Sequence, residues 1–222
     1  MTAEMTSLKL QLNILHKGGP MADTLKATAL VCTFSLSPKK SSSQLLAQEV
    51  LDELEKHNVT SELHRVVDYN IAFGVATDMG NGDEWPKLRE SIVNSDILLI
   101  ATPIWMGQPS AIAKMVLERL DAELSETDET GRPLMYGKVA IVAVVGNEDG
   151  AHHTSAEIYQ ALSDVGFTIP AGGPSYWVGE AMGSVDYQDL DTKPEKTIET
   201  TKIMAANAAH LARLLKEQNY PA

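Results

Sequence analysis

Three short stretches of the chain concentrate residue types that bind or transform small molecules. The first, Phe34 to Ser43 (FSLSPKKSSS), carries the hydroxyls of Ser35, Ser37, Ser41, Ser42 and Ser43, with Lys39 and Lys40 among them, and leads into a helical pattern. The unpaired N–H groups and positive dipole end of a helix N-terminus favour an anion such as phosphate. Hydroxyls add hydrogen bonds there without adding charge. Serine is also a preferred helix cap; one serine would satisfy a cap, and this loop has more hydroxyls and charge than a cap requires.

The second stretch is Thr102-Pro103-Ile104-Trp105-Met106-Gly107, which follows the apolar run Ile97 to Ala101. A large aromatic and a methionine held between proline and glycine make a wall for a flat ring; equally, Trp105 could pack the loop onto the core. The third is Gly146 to His153 (GNEDGAHH), whose glycines let backbone approach a ligand closely. Its adjacent His152 and His153 suggest a metal, but neighbours in sequence rarely aim at one ion, and no third ligand has suitable spacing.

Other chemistries are disfavoured. No G-x-S-x-G nucleophile elbow occurs. The serine loop is not a Walker A sequence, and no G-x-G-x-x-G follows the first strand, which argues against a nucleoside triphosphatase and a Rossmann dehydrogenase. Cys32, the single cysteine, sits in an apolar run and reads as a core thiol in a reducing compartment. With 30 acidic against 18 basic residues the formal net charge is -12, which disfavours nucleic acid and anionic membranes as partners. No apolar run reaches a membrane span, and the N-terminus lacks the order of a signal peptide, so a cytoplasmic protein is expected.

The elements that must position these loops follow from periodicity. Strands are expected at Thr28–Thr33, Glu62–Val67, Ile97–Ala101 and Lys138–Val145, with a fifth beginning at Phe167–Ile169. Helical patterns lie between them at Gln44–His57, Trp85–Asn94, Pro109–Leu124 and Thr154–Val165, and a last helix at Glu195–Gln218. Residues 1–26 read as an N-terminal extension and 27–222 as one domain. Ala171–Lys193 reads as irregular, and Ser175–Asp191 as a lid or a plain loop. Alternation of this kind argues an α/β fold, a doubly wound five-stranded parallel sheet with helices on both faces. The loops after strands one, three and four then converge at the switch point. The broad apolar face of helix 109–124 suggests a subunit interface, hence a homodimer or tetramer.

At these three loops the chain resembles the flavodoxin-like NADPH-dependent FMN reductase family of NAD(P)H:flavin and quinone oxidoreductases. The family's phosphate loop reads approximately S-x-S-P-R-x-x-S-x-T; here it is Ser35-Leu36-Ser37-Pro38-Lys39-Lys40-Ser41-Ser42-Ser43-Gln44. The family's T-P-x-Y-x-G-x-x-S-x-x-x-K-x-x-x-D-R is matched by Thr102, Pro103, Trp105, Gly107, Ser110, Lys114, Glu118 and Arg119, with Trp for Tyr and Glu for Asp. Lys39 stands where Arg is usual, which keeps the charge and loses the bidentate fork.

The resemblance implies a flavodoxin-like fold and FMN as cofactor, its phosphate on Ser35, Ser37, Lys39, Ser42, Ser43 and Gln44. The isoalloxazine would lie against Pro103, Ile104, Trp105, Met106 and Gly107 and against Gly146, Asn147, Glu148 and Gly150, with backbone N–H groups of residues 104–107 tuning the ring. It implies an enzyme passing electrons from NADPH or NADH through FMN to a small-molecule acceptor such as a quinone or flavin, without a catalytic side chain or a metal. Two alternatives stand beside it: a flavodoxin-type electron carrier, which the acidic surface suits, and a flavin-free binding domain of the same fold.

Overall fold

The computed structural model describes residues 24–222, so the expected extension lies, up to residue 23, outside the described residues. In chain order the elements are β1 (Leu25–Val31), α1 (Ser42–Glu55), β2 (Val59–Arg65), α2 (Trp85–Val93), β3 (Ile97–Trp105), α3 (Ala111–Leu120), β4 (Val139–Gly146), α4 (Ala151–Asp164), β5 (Pro174–Val178) and α5 (Glu195–Glu217). The five strands are all parallel, in the order β2-β1-β3-β4-β5, and a two-residue antiparallel strand, Gln108–Pro109, folds back on the tip of β3.

The strands are apolar on both faces because both faces are covered. Alternate side chains point to opposite sides. Ala27, Ala29, Leu99 and Ile141 meet Leu46, Val50 and Leu54 of α1 and Met204, Ala208 and Ala212 of α5. Leu30, Leu98, Ile100 and Val142 meet Leu88 and Ile92 of α2, Val116 of α3 and Ile158 and Leu162 of α4. From β1 the chain moves to β2 on one side, then returns to β3 on the other. The loops after β1 and β3 therefore part, and a crevice opens between them at the carboxyl edge of the sheet.

Three expectations are corrected. The fifth strand is Pro174–Val178, whereas Thr168 makes only an isolated bridge to Val139. Pro174 is tolerated because β5 is an edge strand. The third strand, expected to end at Ala101, runs on to Trp105. Beyond Ala101 it no longer pairs with β1, so Pro103 has a strand neighbour only in β4, opposite Val145. The helix expected at Pro109–Leu124 is ten residues of α3 followed by a 3-10 turn, Asp121–Ser125. Its broad apolar face is met within one chain, since Met115, Val116, Leu117 and Leu120 are all buried.

Arg119, near the end of α3, is fully buried and pairs with the equally buried Asp83 at 2.8 Å. Its guanidinium also donates to the carbonyls of Ala72 and Ala76. Asp83 accepts from the backbone N–H groups of Ala72, Met79 and Trp85. One ion pair thus fastens the long β2–α2 connection to α3. Burial pushes the Asp83 carboxyl up, but the Met79 and Trp85 amides, the Arg119 guanidinium and the Ala72 amide together bring it from the usual 3.8 down to about 2. The lowered folded value means that this contribution to stability is complete above about pH 4 and is lost as pH falls towards 2. Arg119→Leu is expected to cost about 3 kcal/mol in urea unfolding at pH 7, because Asp83 loses its counter-charge in a buried setting. Acid unfolding of that variant should begin at a higher pH than in the wild type.

Candidate functional site

A cleft of about 650 Å³ opens at the carboxyl edge of the sheet, where the loops after β1, β3 and β4 meet the segment that follows β5. Its walls differ in chemistry from one end to the other.

One end is built for an anion. Ser41 caps α1 by accepting from the Gln44 N–H, and Ser42 and Ser43 occupy the first turn beside the cleft. The Ser42 hydroxyl accepts from the Gln188 N–H at 3.2 Å, which leaves its proton free to donate. Lys39 and Lys40 line the same end, and neither has a carboxylate partner among the described residues. Behind the loop lies Arg65, 6% exposed, at the end of β2. It donates to the carbonyls of Ser35 (3.0 Å) and Lys39 (2.8 Å) and to the side-chain oxygen of Gln44. All of these acceptors are neutral, and the guanidinium charge also acts on Asp68 beside the loop, helping to hold its carboxyl down.

The other end is built for a flat group. Phe34 and Trp105 stand 6.2 Å apart at the cleft, and Trp177, also lining it, is backed by the buried Tyr187 ring 5.5 Å away. The turn that carries Trp105 is held from beneath. The buried Ser110 hydroxyl accepts from the Ala113 N–H, capping α3, and donates to the Cys32 carbonyl at 2.6 Å. The Ser110 N–H in turn donates to the Thr102 hydroxyl at 3.1 Å. Met106 and Gly107 both have positive φ, 54° and 73°, so that their successive N–H groups form a small anion-holding nest. The Glu148 carboxylate occupies it, accepting from Met106 N–H at 2.9 Å and Gly107 N–H at 3.2 Å. Those two amides, expected to face the ring, are therefore bonded to Glu148. Gly150 allows this approach, since a Cβ there would lie 2.8 Å from the Gly107 Cα.

Of the residues expected from sequence, the cleft gathers Ser35, Lys39, Ser42, Ser43, Pro103, Ile104, Trp105, Met106, Gly146, Asn147 and Glu148. Ser37, Gln44, Gly107 and Gly150 do not line it. Ser37 donates from its N–H and hydroxyl to Asp68, and these bonds hold the Asp68 carboxyl below the usual range. Gln44 serves Arg65. Gly107 and Gly150 make room for each other behind the wall. Cys32 is fully buried, and burial pushes its thiol far up. His152 and His153 diverge, the first to the Tyr176 hydroxyl and the second to Glu157.

The segment expected as a lid or a plain loop, Ser175–Asp191, supplies the fourth wall, which includes Trp177, Asp186, Tyr187 and Gln188; none of these was expected as a site residue. The aromatic pair Tyr176-Trp177 before a valine was the available signal for a strand leading there.

Residues 29–183 match the family described as NADPH-dependent FMN reductase. The chain belongs to this family. It is thus an enzyme of the flavin-dependent oxidoreductase class with a flavodoxin-like fold. It is similar to the 8-demethyl-8-aminoriboflavin-5'-phosphate synthase of Streptomyces davaonensis, at 34% identity over 88% of this chain and 80% of that one. The structure of RosB with bound 8-demethyl-8-formylriboflavin-5'-phosphate superposes with a TM-score of 0.80 at 33% identity, covering 88% of this chain and 82% of that one. A Mycobacterium bovis protein named divalent metal cation transporter MntH is 34% identical over 89% of this chain but only 30% of its own length. No helix among the described residues here is long and apolar enough to cross a membrane. An NADH:FMN oxidoreductase shares the fold, with a TM-score of 0.59 at 17% identity over 86% of this chain and 89% of that one.

The fastening of the serine loop by Arg65 is testable without ligand. Arg65→Ala removes several charge-assisted hydrogen bonds at once and should cost about 3 kcal/mol in urea unfolding. Amide hydrogen exchange should accelerate over residues 35–40 and not in β4.

Proposed function

We propose that this FMN reductase family member holds FMN in the cleft and passes electrons from NADPH or NADH to a small acceptor such as a quinone or flavin. The observation that carries the reading is the joining, in one cleft, of an anion-binding helix end to an aromatic-walled slot. The residues present fit a phosphorylated flavin. Ser42 and Ser43 offer hydroxyls at the start of α1, and Lys39 and Lys40 supply positive charge to the cleft. Among the described residues the buried side-chain oxygens of Asn147 and Gln188, both in residues lining the cleft, have no hydrogen-bond partner, which supports donors from a ligand.

When bound, FMN supplies the electron-transfer chemistry, and the chain supplies position and field. Lys39 and the helix dipole would attract the phosphate, while Ser42 donates to it. Trp105 and Trp177 would hold a ring by stacking. The Ser110 bonds keep the Trp105 turn from shifting as a ligand enters. Glu148 and Asp186 place negative charge at the ring end, opposite in sign to the lysine end, so the cleft orients a molecule with one anionic terminus.

A second reading is favoured by one specific comparison. The synthase from Streptomyces davaonensis is named for a modified riboflavin phosphate, and the RosB structure holds a formylated one as an intermediate. In this reading the flavin phosphate in the cleft is converted rather than retained.

The double variant Lys39→Ala/Ser42→Ala is expected to raise the FMN dissociation constant about 10- to 100-fold, measured by quenching of flavin fluorescence. Unchanged affinity would remove the phosphate assignment. Anaerobic NADPH or NADH should bleach the oxidised flavin band of the wild type, and failure to do so would favour an electron carrier. Mass spectrometry of the flavin recovered after aerobic incubation separates the two readings, with an unchanged mass for a cofactor and an altered mass for a substrate.

A further inference from the structure

The segment after β5 folds back along the cleft and is tied down at both ends. At one end the Gly179 N–H donates to the Gly146 carbonyl at 2.8 Å and the Met182 N–H to the Asn147 carbonyl at 3.0 Å. The Asn147 side-chain amide answers by donating to the Gly183 carbonyl and to Asp186. At the other end the Gln188 N–H reaches the Ser42 hydroxyl on α1. Between these ties, Tyr187 is fully buried. Its ring packs against Trp177, its hydroxyl donates to Glu49 at 2.5 Å, and Lys193 lies 4.0 Å over its face while pairing with Glu49. The backbone that presents Gln188 is therefore fixed before any ligand arrives.

The Gln188 side chain stands apart from this order. Among the described residues its buried amide oxygen has no hydrogen-bond partner. A buried amide whose oxygen is left unbonded costs stability and gives nothing back to the fold. Gln188 lines the cleft, and its own N–H touches the serine of the anion-binding end. Through that contact Gln188 joins the anion-binding end to the segment that carries Tyr187 and Asp186.

We propose that Gln188 is a specificity-determining residue that reads the hydroxylated linker of a flavin phosphate. The inference rests on the FMN reading above and adds a requirement to it. A linker hydroxyl is both donor and acceptor, so it can give its proton to the amide oxygen and take one from the amide nitrogen. A plain alkyl linker can do neither and would leave the buried oxygen unsatisfied. The site should then distinguish two flavin phosphates that share ring and phosphate and differ only in the hydroxyls between them.

The test compares FMN with a flavin phosphate whose linker is an unhydroxylated five-carbon chain, in the wild type and in Gln188→Met, which keeps the unbranched shape. Wild type should bind FMN more tightly than the analogue. Q188M should weaken FMN about tenfold and leave the analogue within about twofold, so the wild-type preference collapses. Without ligand, Q188M should melt about 2–4 °C higher, because an unsatisfied buried oxygen has gone. Equal weakening of both ligands, no weakening of FMN, or a fall in the ligand-free melting temperature would each overturn the proposal. If wild type bound neither flavin, the FMN reading would fail with it; FMN binding unaffected by Q188M would defeat this inference alone.

Discussion

The Ser110 hydroxyl joins three parts of the molecule that would otherwise be independent. It caps α3, it bonds the carbonyl at the end of β1 through Cys32, and its residue bonds the Thr102 hydroxyl on β3. All of these atoms are buried, so breaking the set would strand several polar groups out of reach of water. The constraint explains why a strand, a tight turn and a helix succeed one another within a dozen residues without loosening. The Trp105 turn is suspended from this set, and the slot behind Trp105 takes its shape from the turn.

The same economy governs charge. A chain of net charge -12 repels anions over most of its surface. Locally the balance is shifted by Lys39, Lys40 and the start of α1, with a buried Arg65 behind the loop hydrogen-bonded to neutral acceptors. Burial of a guanidinium is unfavourable unless its donors are met, and here the loop carbonyls meet them. The arginine thus stabilises the loop's conformation through neutral partners. Elsewhere the fold treats a buried arginine differently: Arg119 is neutralised outright by Asp83 and has no share in the cleft.

Much of this was legible in the sequence. Apolar runs at Ile97–Ala101 and Lys138–Val145 alternate with helical patterns, and a sheet covered on both faces requires that alternation. The serine loop and the Trp105 turn could be placed on strand ends because ligand loops in such sheets lie there. What could not be read were partners distant in sequence. Nothing local distinguishes Gln44, which serves Arg65, from Ser43, which faces the cleft. Ser37 looks like a phosphate ligand until Asp68 is seen beside it. The fifth strand was hidden by Pro174, which weakens a strand pattern everywhere except at an edge. With that strand missed, the segment that follows it could be read only as a lid or a plain loop, without assigned site residues.

The carboxylate of Glu148 sits on the paired amides of Met106 and Gly107, at the ring end of the cleft. A ligand oxygen that takes those amides takes them from Glu148, so the event is an exchange and not a simple addition. A displaced carboxylate would remain tethered by its own backbone, within reach of the amides it had left. Under such an arrangement residence time and affinity need not rise together. Glu148 would then act as an internal competitor for those amides, at a constant and high effective concentration.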